Sequence, residues 1–153
     1  MTAGAISNRL ARIHSGEDPE LLARMPSGFA ILGKFQPEPI TGCCMLIPDP
    51  VVASPNDLGP LERARFFADL VLLGDAVLEV TGAERINYLV LCNQVPELHG
   101  HCIPRSASED PASRLLGPFE AYDFGTARVA DARGPDRELH EQLAAALTRL
   151  LSA

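Results

Sequence analysis

Glu97-Leu98-His99-Gly100-His101-Cys102-Ile103-Pro104-Arg105 places two imidazoles and one carboxylate two residues apart in an apolar, strand-like run. In an extended chain side chains repeat every second residue, so this spacing predicts Glu97, His99 and His101 on one face, with Leu98, Gly100 and Cys102 on the other. The remaining two of the four histidines, His14 and His140, sit in polar, helix-like segments near the termini. Imidazole chemistry is therefore concentrated in this one stretch.

Upstream, the clearest element is a helix from Pro60 to Thr81. Gly59 stands at its cap, Pro60 at the first helical position, Glu62 in the first turn and Gly82 just beyond its end. Phe66, Phe67, Leu70, Val71, Leu73, Val77 and Leu78 form a wide apolar stripe suited to packing on a sheet. Phe66 and Phe67 read as core or subunit contacts. Before this helix, Phe29 to Phe35 and Cys43 to Ile47 read as strands, separated by a turn through Pro37 and Pro39. After it come a strand from Ile86 to Leu91 and then the histidine-bearing strand. Leu139, Leu143, Leu147, Leu150 and Leu151 mark a final amphipathic helix.

Strands followed by a helix, then strands and a terminal helix, predict an α+β fold with an antiparallel sheet covered on one face. Residues 1–153 are expected to form one domain, with a helical arm over 1–27, broken near Ser15-Gly16-Glu17-Asp18-Pro19, and a C-terminal extension over 117–153. No GxGxxG or Walker phosphate loop is present.

The net charge of −7 argues against binding a nucleic-acid polymer, which requires a basic surface to displace counterions, and leaves small phosphorylated ligands open. No run approaches the ~20 apolar residues of a membrane span, and the first residues lack the apolar stretch of a secretory signal. A cytoplasmic protein with no membrane partner is expected. Cys43, Cys44, Cys92 and Cys102 lack CxxC spacing and read as reduced, largely buried thiols.

Leu91 to Arg105, with Asn93 and Gln94 in the approach and Asp110-Pro111 beyond, resembles the signature of the histidine-triad (HIT) family of nucleotide hydrolases and transferases. Gly42 to Pro48, Asn56-Asp57-Leu58, the long helix and Thr81-Gly82-Ala83 follow the family order, so the resemblance spans roughly Phe29 to Pro111. It implies a HIT-like fold, with an antiparallel sheet of about five strands, a long helix and a C-terminal helix. It also implies a homodimer. Aligned through Ile103-Pro104-Arg105, His99 matches the middle histidine and His101 the third, while Glu97 stands where the first would be. A further family histidine after the second strand is replaced in the Asp49-Pro50-Val51 neighbourhood.

The chemistry implied is attack of a neutral imidazole on the α-phosphorus of a nucleotide, followed by hydrolysis of the nucleotidyl-histidine. On this reading the catalytic candidates are His99 as nucleophile, His101 as hydrogen-bond partner of a phosphoryl oxygen or leaving group, and Glu97. Asn93, Gln94 and Arg105 are the candidate substrate-binding residues. Neither a cofactor nor a metal is expected. Other roles stand beside these: Glu97, His99 and His101 as metal ligands, Asn93 and Gln94 as turn residues, and Arg105 as a solvated arginine.

A Glu97 carboxylate ~7 Å from an imidazole would favour imidazolium and repel phosphate, slowing the reaction by about one to two powers of ten. The alternative function is accordingly a catalytically weak nucleotide-binding module.

Overall fold

The computed structural model describes residues 4–153. The chain opens with helix α1 (Ala5–His14), followed by the antiparallel hairpin β1 (Leu21–Met25) and β2 (Gly28–Leu32). Strand β3 (Cys44–Pro48), helix α2 (Pro60–Thr81) and strand β4 (Arg85–Leu89) come next, then β5 (Gly100–Arg105). Two short helices, α3 (Pro111–Arg114) and α4 (Pro118–Ala121), lead to the terminal α5 (Arg137–Leu151). All strand pairs are antiparallel, in the order β1-β2-β3-β5-β4. The α+β architecture and the five-stranded sheet agree with expectation.

The long helix has the expected bounds. Pro60 needs no amide partner in the first turn, and Gly82 closes the helix at φ 68, a left-handed conformation that costs glycine little. Phe66, Leu70, Leu73, Ala76 and Val77 are buried in a cluster with Leu46, Leu98 and Cys102, and Leu143, Ala146 and Leu147 of α5 join the same cluster.

Three expectations need correction. Residues 21–25, assigned to a helical arm, form the edge strand β1. A register shift between Leu21 and Ala23 puts Leu22 and Met25 both inward, and that three-residue spacing imitates a helix. The sheet is covered on both faces, because α1 packs Ile6, Leu10 and Ile13 against Phe29, Ile31, Ile47 and Val95, on a cluster separate from that of α2. Finally, the histidine strand begins at Gly100, which leaves Glu97 and His99 in the preceding loop. Cys92 in that loop is left-handed, at φ 54, and Pro96 has no amide to give a ladder, so the extended chain cannot run back from β5 to β4.

One buried side chain braces the turn between β2 and β3. The carboxamide of Gln36 accepts from the amides of Gly42 and Cys43 and donates to the carbonyls of Gly33 and Cys43, at 2.8 to 3.1 Å. Beside it, the Gln36 amide donates to Arg128 and the Ala130 amide to Lys34, stitching the C-terminal segment to the end of the sheet.

Candidate active site

β5 is an interior strand, with His101 registered between Met45 of β3 and Leu89 of β4. Its side chains alternate as the sequence predicts. Gly100 and Cys102 face α2, where the Cys102 thiol donates to the Leu70 carbonyl at 3.3 Å, and Leu98 is fully buried in the same cluster. Gly100 fits closely there: a Cβ on it would lie 2.8 Å from the tip of the Leu70 side chain, which would have to shift, and 3.4 Å from Phe66. The glycine between the histidines lets α2 approach the sheet directly behind them. Burial pushes the Cys102 thiol well up, leaving it a packing group with no nucleophilic role.

On the opposite face the His99 and His101 rings meet edge to face, with centroids 5.0 Å apart. His99 is 8% exposed, and its Nδ1 lies 2.7 Å from the main-chain carbonyl of Glu97. A carbonyl can only accept, so Nδ1 carries a proton, and in the neutral ring the lone pair lies on Nε2. Among the described residues none hydrogen-bonds Nε2. Burial, and secondarily the neighbouring His99, push His101 down to about 4, so its ring is neutral at neutral pH.

The far side of His101 is closed by an aromatic row from the C-terminal extension. Phe119 meets the His101 ring at 5.5 Å and Phe124 at 4.8 Å. Phe119 remains 42% exposed, which leaves an apolar edge beside the imidazoles for a ligand to use. The sequence reading missed this residue. Its only sequence signal is the grouping of Phe119, Tyr122 and Phe124 in a chain with few aromatics.

Glu97 and Arg105 are placed differently from expectation. The Glu97 carboxylate turns to the start of α1, where it accepts from the Ile6 amide at 3.1 Å, from the Ser7 amide at 3.5 Å and from the Ser7 hydroxyl. These donors, the hydroxyl foremost, hold its carboxyl below the usual range. The Glu97 carboxylate is thus engaged at α1 and makes no hydrogen bond to either imidazole. Among the described residues no cluster of three His, Cys, Asp or Glu side chains is arranged to hold a metal.

Arg105 is 6% exposed and roughly 13 Å along the strand from His101. Its five N–H donors are engaged by Glu109, Asn87, Leu116 and Ser113. A guanidinium so committed holds the segment after β5 in place and has no donor left for phosphate. It also walls a cavity of about 520 Å³, lined in addition by Arg85, Arg114 and Leu116, that lies apart from the imidazole pair. Asn93 and Gln94 are exposed in the loop leading to His99.

No protein-family model matches the sequence, and no curated protein matches it. Solved structures do resemble it. A histidine-triad protein of Sinorhizobium meliloti is 24% identical with a TM-score of 0.65, the match covering 94% of each chain. A hypothetical histidine-triad nucleotide-binding protein of Sulfolobus tokodaii is 17% identical with a TM-score of 0.69, over 94% of this chain and 93% of that one. A zinc-bound histidine-triad family protein of Mycobacterium smegmatis is 23% identical with a TM-score of 0.65, over 95% of each. With its sheet order, its long helix behind the histidine strand and its paired imidazoles, the chain has the fold of the histidine-triad proteins.

Proposed function

We propose that the protein is a nucleotide phosphoanhydride or phosphoramidate hydrolase, or a nucleotidyl transferase, that works through a covalent nucleotidyl-His99. The observation that carries this reading is the 2.7 Å contact between His99 Nδ1 and the Glu97 carbonyl. In the neutral ring it places the lone pair on Nε2 and orients it, and the same carbonyl stabilises the positive ring formed when Nε2 bonds to phosphorus. In the first step the Nε2 lone pair attacks the α-phosphorus and the bond to the leaving group breaks. In the second, water or another acceptor attacks the same phosphorus and the bond to Nε2 breaks, releasing the nucleotide.

Neutral His101 donates one N–H to a phosphoryl oxygen, and Asn93 and Gln94 donate amide hydrogens from the loop. Phe119 flanks the bound ligand. The Glu97 carboxylate stays ionised but is turned to the donors at the start of α1, away from hydrogen bonding with the imidazoles, which moderates the penalty expected from a carboxylate facing the phosphate and favours turnover over binding alone.

The protein acts as a homodimer on this reading. Leu61, Phe67 and Val71 lie exposed on α2, and Tyr88 on the edge strand β4 packs against Gly74 of the same helix, so one apolar surface runs from helix to sheet edge. Four unpaired thiols suit a reducing, cytoplasmic setting. No described helix is long and apolar enough to cross a membrane.

Mass spectrometry after incubation with nucleoside phosphoramidates and dinucleoside polyphosphates tests the chemistry. An adduct of nucleoside monophosphate mass on His99, absent in His99→Ala, is expected. Saturable binding with neither adduct nor product would replace the enzyme by the binding module.

A further inference from the structure

Glu97 engages two different elements with two different groups. Its carboxylate caps the start of α1, where Gly4 has no side chain to offer and the amides of Ile6 and Ser7 need acceptors. Its main-chain carbonyl orients His99. Only the bonds of one residue separate the two functions. Two residues earlier, Val95 packs into the apolar face of α1 with Ile6, Leu10 and Ile13. The loop that delivers His99 is thus gripped twice by the same helix. Helix α1 is further secured by Arg9, at its middle, on Asp18 at 2.9 Å and by His14, at its C-terminal end, on Asp49 at 3.0 Å.

We propose that Glu97 is a positioning residue which couples the docking of α1 to the orientation of the His99 imidazole, so that the N-terminal helix controls the reactivity of the site. The proposal rests on His99 being the nucleophile. Release of α1 frees the carboxylate, the loop and then the carbonyl, and the His99 ring loses the bond that fixes its tautomer. The Glu97 carboxylate has a definite task on this reading: it ties the helix to the loop that delivers the nucleophile.

The test uses the full chain with Glu97→Ala, Glu97→Gln and Ser7→Ala. Three quantities are read: nitrogen-15 ring signals of His99 for its tautomer, amide hydrogen exchange across 5–14, and kcat and KM with a nucleoside phosphoramidate. Glu97→Ala is expected to speed exchange in the first turn of α1 at least tenfold and to mix the His99 tautomers. It should lower kcat roughly 10- to 100-fold, as loss of nucleophile alignment does, while KM stays within about twofold.

Glu97→Gln, which keeps an acceptor oxygen, should recover most of each effect. Ser7→Ala should fall between. If Glu97→Ala does not fold, Ser7→Ala carries the comparison, since faster exchange in α1 must then be accompanied by tautomer mixing. A variant that loosens α1 while His99 keeps the wild-type ring signals would overturn the coupling, as would no loosening at all. Failure of the wild type to turn over any nucleotide would remove the proposed activity instead, and the ring and exchange measurements would still report on the coupling.

Discussion

Replacing His101 by phenylalanine should flatten the acid limb of the stability curve, and the structure sets the size of the effect. Burial beneath Phe119 and next to His99 lowers the proton affinity of His101 from an ordinary 6.5 to about 4 in the folded state. That difference is about 300-fold in proton binding, or about 3 kcal/mol. The unfolded chain binds the proton more readily than the folded one, so stability is fully present above pH 6.5 and is lost as the pH falls from there towards 4. Glu97, Glu109 and Asp136 are likewise held below their ordinary values, but those values are already lower, so their contributions are lost only in the lower carboxylate range.

The two effects therefore separate along the pH axis. Urea denaturation of wild type and His101→Phe at half-unit steps from pH 7.5 to 4.5 measures the difference. The variant keeps an aromatic ring for the edge contacts with His99 and Phe119 and has nothing to titrate. Its stability should change less than that of the wild type over this range, by about 2 to 3 kcal/mol. Parallel curves would refute the argument that a neutral His101 is enforced by burial, and with it the neutral hydrogen-bond donor assigned to the site.

Three further outcomes are expected. Gly100→Ala should destabilise the protein by about 1 to 3 kcal/mol in denaturant titrations, because its methyl group would meet Leu70 at 2.8 Å, and second-site Leu70→Ala should recover part of the loss. Arg105→Ala should cost about 3 to 5 kcal/mol by stranding the buried Glu109 carboxylate, while leaving nucleotide affinity at saturating folded protein unchanged; a specific loss of affinity would return Arg105 to the binding site. Phe67→Glu with Val71→Glu should convert a sedimenting dimer to a folded monomer, and a wild type that sediments as a monomer at every concentration would remove the dimer altogether.

The sequence carried the histidine strand, the long helix with its Pro60 start and Gly82 stop, the terminal leucine-rich helix and the α+β class, because each rests on local periodicity or on a residue with a fixed backbone preference. It also placed Leu98, Gly100 and Cys102 on the packed face, since alternation along the chain depends only on neighbouring residues. It misread β1 because a register shift disguised the strand, and it placed Glu97 in a strand that begins only at Gly100, three residues later. What the tertiary structure alone decided is where long polar side chains end. Glu97 reaches a helix about ninety residues away in sequence, Arg105 spends every donor on a buried carboxylate and neighbouring carbonyls, and Phe119 arrives beside His101 from a distant segment. Such partners are chosen by burial and by unsatisfied donors, which exist only once the chain has packed.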